Sequence, residues 1–357
     1  MKKFLYKILL IFNLLSAAAL LLSYLATVVS PAKVAIPAYF GLAYPYLLLL
    51  NILIVIVWAR FLKFEAFISV AVIVIGINHF SNYIKLSKPK DDKSDSFKVL
   101  SYNVHLFNLY ERKNVKSSEN EIISFLKEQD ADIICLQEMF IAGDVVAKER
   151  FIRASLGGKY SSYSKTIKRR GNVASGIMIL TKYPVIRRGE VVHPESPSLT
   201  IFADILIDKD TLRIYNSHLQ SFNLGSLEKT LFEEFIKDEE KMNRMKELWV
   251  SLKKGFIKRS IQVQTLKEHI NASKYPVIVA GDFNDTPVSY AYRNIRKGLN
   301  DSFVNSGYGA GFTYKGNYPP NRIDYILYDK TITNSYFDII KTRYSDHYPI
   351  MAWFKKN

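Results

Sequence analysis

The sequence predicts an α/β layered domain carried behind an apolar helical segment that is embedded in a membrane. Three observations lead there. Charges are sparse up to about Ile84, whereas from Lys85 onward charged and apolar residues alternate as they do in a water-facing protein. From Phe97 short β-like runs alternate with turns and helical stretches, the pattern of a layered α/β fold. With 357 residues and 48% hydrophobic content, the chain can bury a sizeable core. The expected boundaries are 1–86 for the membrane segment, 87–96 for a linker and 97–357 for the soluble domain.

The first apolar run, Ile8 to Val29, carries no charge and at about 1.5 Å per residue is long enough to cross a hydrocarbon core about 30 Å thick. A signal peptide shares its positive start at Lys2, Lys3 and Lys7, but the run exceeds the roughly 7–15 residues of a signal core and further apolar segments follow. The second run, Tyr39 to Ala59, ends at Trp58 and Arg60 as an interfacial anchor does. The third, Ala66 to Ile84, holds Asn78 and His79 near its end, where an interfacial position suits them. Three spanning helices make an integral, multi-pass membrane protein and put the N-terminus and the soluble domain on opposite sides. Counting Lys and Arg leaves five on each side, so only the dominance of the first helix favours an external, periplasmic domain. Lys88 to Ser96 reads as a short polar linker.

The formal net charge of +16 suits nucleic acid, anionic lipid headgroups, phosphorylated metabolites or simply a solvated basic surface, and does not choose among them. The single cysteine, Cys135, excludes an intrachain disulfide and sits in an apolar run as a buried thiol.

In the soluble part, strands are expected at Lys98 to Asn103, Asp132 to Leu136, Gly176 to Leu180, Thr200 to Leu206 and Leu212 to Asn216. Further strands are expected at Pro276 to Ala280, Ile323 to Leu327 and Pro349 to Phe354. Ser118 and Glu121 resemble a capping box opening a helix over Glu119 to Glu128. The charged stretch Leu227 to Ile270 has helical spacing, with Gly255 as a break and Trp249, Leu252 and Phe256 on one face, packed in a core or laid on a membrane.

The side chains that carry chemistry follow the apolar runs, so that strand ends present them on one rim. Asn103, Glu138, His218, Asp282 and Asn284 are all placed in this way. Oxygen-rich ligands suit a hard cation such as Mg²⁺ or Mn²⁺, and Glu138 with Asn103 and Asp324 supplies such a set. Near the C-terminus Ser345-Asp-His347 adds a carboxylate beside an imidazole, the pairing that supports a charged or proton-accepting ring.

Read in order, Ser101-Tyr-Asn103, Leu136-Gln-Glu138, Ser175 to Pro184, Asn216-Ser-His-Leu219, Gly281-Asp-Phe-Asn284, Arg322-Ile-Asp-Tyr-Ile326 and Ser345-Asp-His347 resemble the endonuclease/exonuclease/phosphatase superfamily. The resemblance covers Phe97 to Phe354 and implies a four-layer sandwich of two mixed, largely antiparallel sheets flanked by helices, with the active site at one end. It implies Glu138 as principal metal ligand assisted by Asn103, with Asp324 near the metal or phosphate. Asp282 and Asn284 are implied to orient water and phosphate, His347 to be the catalytic histidine paired with Asp346, and His218 to stand on the phosphate side. Arg322 and Tyr314 are implied as substrate contacts.

The function expected is metal-dependent hydrolysis of a phosphoester by in-line attack of water. Nucleic acid is one substrate class and phospholipid headgroups or phosphorylated metabolites another, because the family fixes chemistry better than substrate. Lys165, Lys168, Arg169 and Arg170 offer a basic loop for the first. A catalytically dead scaffold is the alternative of another class, although every matched position keeps a competent side chain. The bilayer is the expected partner, and nothing in the sequence calls for an obligate protein partner.

Overall fold

The computed structural model describes residues 3–89, 91–108, 115–168, 173–193, 199–222, 238–316 and 320–355. The chain opens with α1 (Lys3–Leu25), α2 (Ile36–Leu42), α3 (Tyr44–Arg60), α4 (Ala66–Ile75) and α5 (Ile77–Phe80). Of the three spans expected, only α1 is a single helix long and apolar enough to cross a membrane. The second apolar run is divided into α2 and α3, which meet at a 70° bend. In the third, α4 ends at Gly76, and its 10 residues reach only about 15 Å.

These helices pack with their polarity inverted. Asn51 donates to Ser16 Oγ at 2.9 Å, and the Ser69 hydroxyl donates to Asn13 and Asn51 at 2.6 and 2.9 Å. All four of these polar side chains are buried, while Phe4, Leu5, Ile11, Leu15, Leu49, Leu53 and Ile56 are exposed.

The remainder is a four-layer α/β/β/α sandwich. One six-stranded sheet has the order β13-β14-β2-β3-β5-β4, with β2 (Ser96–Asn103), β3 (Ile133–Ala142), β4 (Ser161–Lys168), β5 (Val173–Thr181), β13 (Asn334–Ile339) and β14 (Ile350–Lys355). The other has the order β10-β12-β9-β8-β7-β6, with β6 (Val185–Glu190), β7 (Leu199–Ile207), β8 (Asp210–His218), β9 (Val277–Asp282), β10 (Leu299–Asp301) and β12 (Asp324–Asp329). Alternation along the strands sends Val99, Ile133, Ile179, Ile214, Ile278 and Ile350 between the sheets, where they form one core. The opposite faces take the outer helices. Leu100, Ile134 and Met178 pack beneath α6 (Val115–Gln129) and α7 (Val145–Ser155), while Tyr215, Val279 and Tyr325 pack beneath α8 (Asp238–Asn271) and α9 (Tyr290–Arg296).

All eight strands expected from apolar runs are present. Within the two six-stranded sheets, the four strands that the runs do not announce, β4, β6, β10 and β13, are the edges. An edge strand has solvent on one side and tolerates polar residues, as β6 does with its largely exposed side chains, so no apolar signal marks it. Two helix expectations are corrected. The first helix begins at Val115, and Ser118, inside it, is buried with its hydroxyl making no hydrogen bond. The later one runs unbroken through Gly255, which lies against the Phe222 ring, and its start at Leu227 falls outside the described residues.

The N-terminal helices are joined to the sandwich by specific contacts. Gly41 lies so close to the Val288 carbonyl that any side chain would collide with it. The Tyr39 hydroxyl donates to the Trp249 carbonyl at 2.7 Å, and their rings are 4.4 Å apart. β1 (Ile84–Lys85) pairs with β11 (Gly309–Ala310). Arg322, fully buried, donates from Nη2 to both Asp301 oxygens at 2.6 and 2.7 Å and from Nη1 to the Asn82 carbonyl at 2.9 Å. It is thereby a structural clamp and not the substrate contact expected of it. Arg322→Met leaves Asp301 buried and unpaired, and is expected to destabilise the solubilised full chain by about 3–5 kcal/mol, read from its denaturation midpoint.

Candidate functional site

Two parallel strand pairs, one in each sheet, end at the same rim. In the first, Asn103 at the end of β2 is in register with Gln137 of β3; in the second, His218 of β8 is in register with Asp282 of β9. Sequence marks Asn103, His218 and Asp282 as strand ends, and the packing of the sheets brings these three ends together with Gln137 and Glu138, which lie within β3. Between the sheets, Gln137 donates to Asn216 Oδ1 at 2.7 Å, and Asn216 donates to the Leu136 and Met178 carbonyls at 2.9 Å each. This buried bridge sets the distance at which the two rims face one another.

Local backbone aims the side chains. β3 carries a bulge between Leu136 and Met139, where Glu138 takes φ 52°, a left-handed conformation costly for a residue with a Cβ. Asn284 takes the same φ at lower cost, because a short amide side chain tolerates it. Gly281, with φ 142°, lies against the Ser217 carbonyl at a separation that leaves no room for a Cβ.

Asn103 Nδ2 donates to Asp282 Oδ2 at 2.9 Å and approaches Glu138 Oε1 at 3.3 Å. The Asn284 amide N–H donates to Asp282 Oδ1 at 2.8 Å, and its side chain donates to Asp282 Oδ2 at 3.2 Å and to the Leu219 carbonyl at 3.0 Å. His218 Nε2 is 3.3 Å from Glu138 Oε1 and 3.8 Å from Asp282 Oδ2, yet it is buried without an aligned hydrogen bond. His347 Nε2 stands 3.8 Å from Asp282 Oδ2, and its Nδ1 meets Asp324 Oδ2 at 2.9 Å.

The pairing of His347 with Asp346 is therefore corrected. A residue and its immediate neighbour point apart here, and Asp346 turns to His105, whose Nδ1 is 3.2 Å from its Oδ1. Asp324 reaches His347 because β12 pairs with β9 and puts Asp324 opposite Asp282. It stands on the histidine side of the cluster, within one group with Asp282 and His347, while Glu138, His218 and Asp282 form the other. Tyr314 lies with its ring edge toward His347, centroids 5.1 Å apart. Arg322 is spent on Asp301. Of the expected basic loop, Lys165 pairs with Glu190 at 2.8 Å, while the Lys168 side chain, Arg169 and Arg170 lie outside the described residues.

His105 was missed by the sequence reading. It sits in a left-handed turn with φ 43°, continued by Leu106 and Phe107, and its backbone N–H donates to Asn103 Oδ1 at 3.0 Å. Its place two residues after Asn103 was the available signal.

The groups polarise one another. Burial works against the charge of Glu138, but His218, His105 and His347 outweigh it and hold the carboxyl well below the usual range. Burial and the neighbouring Asp324 push Asp282 up to about 6 against the pull of His347 and His218. Burial opposes the cationic form of His347, yet Asp324, Asp282 and Asp346 carry it well above the ordinary histidine value. His218 is raised in the same way by Glu138 and Asp282, again against burial. Within each of the two groups the donor atoms lie within 4.8 Å of one another, and each supplies two carboxylates and a histidine, a donor set that suits a divalent cation.

A sequence model described as "Endonuclease/Exonuclease/phosphatase family" matches residues 100–347, and one described only as a domain of unknown function matches residues 6–83. No curated protein matches the sequence. Among solved structures, an endonuclease/exonuclease/phosphatase family protein from Leptotrichia buccalis aligns over 72% of this chain and 98% of its own, with a TM-score of 0.53 and 17% identity. The human Nocturnin catalytic domain with bound sulfate aligns over 75% and 99%, with a TM-score of 0.54 and 17% identity. A humanized D. rerio TDP2 aligns over 74% and 100%, with a TM-score of 0.51 and 17% identity. At this identity the likeness is one of fold.

Gly281→Ala tests how the rim is built. The new methyl collides with the β8 backbone, so the expected outcome is a loss of more than about 3 kcal/mol or failure to fold, seen as a lowered thermal midpoint.

Proposed function

The chain belongs to the endonuclease/exonuclease/phosphatase family and is a phosphoric ester hydrolase, and from that premise we propose a phosphodiesterase, dependent on a divalent cation and held at a membrane. The observation that carries the chemistry is the facing of Asp282, at about 6, with a cationic His347 whose Nε2 is 3.8 Å away. At that separation one water or phosphoryl oxygen lying alongside the pair is within hydrogen-bond reach of both groups.

The carboxylate oxygens of Glu138 and Asp282 would hold Mg²⁺ or Mn²⁺, joined by the Asn103 oxygen once its amide turns away from the His105 N–H, and such an ion, when bound, supplies Lewis-acid polarisation of the phosphoryl group. Asp282, oriented by Asn103 and Asn284, accepts a proton from the attacking water. His347 donates from Nε2 to a phosphoryl oxygen, and Asp324 holds the ring by Nδ1 in the charged, correctly turned form. His218, its Nε2 without an aligned partner, donates to a second phosphoryl oxygen. As the water oxygen bonds to phosphorus, the P–O bond to the leaving group breaks, the leaving oxygen takes a proton from solvent, and no covalent enzyme intermediate forms. Asp324 thus serves as a positioning carboxylate, the task the sequence reading assigned to Asp346.

Membrane attachment is supported by the inverted packing of α1, α3 and α4. Buried Asn13, Ser16, Asn51 and Ser69 with exposed leucines suit an apolar solvent, where polar side chains bind helices together. A lipid substrate is the second reading, favoured by α8. Its Met242, Met245, Trp249 and Val250 are about half exposed beside Tyr39, with Lys253, Lys254 and Lys258 following.

Full-length protein in detergent is to be assayed with Mg²⁺, Mn²⁺ or EDTA on DNA, RNA, sphingomyelin, phosphoinositides and a generic phosphodiester. Turnover is expected only with metal, and Glu138→Gln and His347→Ala are each expected to lower kcat by at least about 10²-fold. Full activity in EDTA, or wild-type rates in both variants, overturns the proposal. Hydrolysis confined to lipid favours the second reading.

Asp324→Asn and Asp346→Asn separate the two carboxylates. The first is expected to lower kcat by about 10²–10⁴-fold, since the imidazolium loses its partner, whereas the second lowers it by less than about 10-fold. Equal losses contradict the assignment.

A further inference from the structure

A cleft of about 530 Å³ lies between the N-terminal helices and the sandwich, and none of the residues proposed above for catalysis lines it. Thr27 and Val28 form one wall, just past the end of α1. The opposite wall is α9 and the residue after it, carrying Arg293, Arg296 and Lys297. His79 and Asn82 close the top.

The electrostatics of this cleft are one-sided. Among the described residues no carboxylate lines it, and none of its three cations forms an ion pair. Arg296 is held in place by neutral oxygens, donating from Nη1 to Asn82 Oδ1 and to the Tyr292 hydroxyl at 2.7 Å each. Behind that wall the buried Asp301 binds Arg322 and the Tyr292 hydroxyl and also feels the charge of Arg296, which leaves Arg293 and Lys297 as the cations with no carboxylate facing them. His79 is fixed by stacking on Tyr24, with ring centroids 5.1 Å apart. Arg293 and Lys297, exposed on this concave surface with no carboxylate in its lining, and Arg296 beside them offer positive charge to a phosphate or similar anion.

The position of the cleft narrows the source. If α1 spans a bilayer, its end at Leu25 leaves the hydrocarbon, so Thr27 and Val28 lie at headgroup depth, with Val28 more than half exposed to meet an acyl chain. Basic pockets at that depth, between spanning helices and a soluble face, take lipid headgroups. We propose that this cleft binds the phosphate of an anionic phospholipid headgroup at a site separate from the catalytic rim. The phosphate chemistry stands on the cleft alone, and the lipid as its source rests on the membrane reading above. Such a lipid bridges Val28 to Arg293 and ties the catalytic domain to the leaflet.

The test uses the full chain in detergent micelles, with binding of phosphatidylglycerol, phosphatidylcholine, glycerol 3-phosphate and inorganic phosphate measured by native mass spectrometry. The variant is Arg293→Gln with Lys297→Gln. Both side chains are exposed, so folding is expected to be retained, as is hydrolysis of a soluble diester. Phosphatidylglycerol is expected to bind at least about 10-fold more tightly than phosphatidylcholine, and the double variant to lose about 10-fold of that affinity. Equal binding of the two lipids, or an unaltered affinity in the variant, overturns the proposal. Glycerol 3-phosphate binding as tightly as phosphatidylglycerol, with loss in the variant, overturns the lipid source and keeps the phosphate site. Flotation with phosphatidylcholine vesicles reads the membrane attachment separately, since it does not depend on these cations.

Discussion

The contact on which the rest depends is the polar bridge between the two sheets. Asn103 ends a strand of one sheet and Asp282 ends a strand of the other, and their 2.9 Å hydrogen bond joins the rims. Behind it, Gln137 and Asn216 cross the same interface deep in an otherwise apolar core. Buried amides left unpaired are costly, so the sheets are held in the register that pairs the Gln137 and Asn216 amide groups and joins Asn103 to Asp282, with only the Gln137 Oε1 left without a partner. A shift of the sheets by one residue would separate Asn103 from Asp282 and carry Glu138 and His218 apart with them.

That register is accompanied by backbone strain where the chemistry is proposed. Glu138 sits in a left-handed conformation at a bulge, Asn284 in another just past β9, and His105 in a third just past β2. Each turns a side chain from the face of its strand toward the rim. Strain of this kind persists only when surrounding structure over-determines it, and here the parallel strand pairs and the Gln137–Asn216 bridge supply that support.

The N-terminal helices extend the same structure. Arg322 precedes Asp324 by two residues and reaches back to the Asn82 carbonyl, so the strand that positions His347 is anchored on the helical segment. On the other side, Arg259 of α8, fully buried, donates to Asp285 at 3.0 Å and to the Gln220 carbonyl at 2.7 Å. It thereby ties together the loops that follow His218 and Asp282. Tyr39 touches that same helix at Trp249. Segment and sandwich therefore share contacts close to the catalytic rim.

Much of this was legible in the sequence. Apolar periodicity and length mark every interior strand, because an interior strand of a sandwich is buried on both faces and has little freedom to be polar. The positions of Asn103, His218, Asp282 and His347 beside apolar runs could be read, whereas Glu138, expected just past a run, lies within β3 and is turned to the rim by a bulge. Edge strands could not, because their side chains face water. Nor could the partner of His347: adjacency in sequence favours Asp346, but Asp346 lies in a bend that turns its carboxylate to His105, while Asp324 arrives from β12. The role of Arg322 depends in the same way on Asp301 and Asn82, which are distant in sequence. Composition and period determined which elements form and which residues lie at their ends. Tertiary structure alone decided which of those ends meet, because pairing across sheets is settled by burying both apolar faces while giving the polar groups caught between them partners such as Asn216 for Gln137 and Asp282 for Asn103.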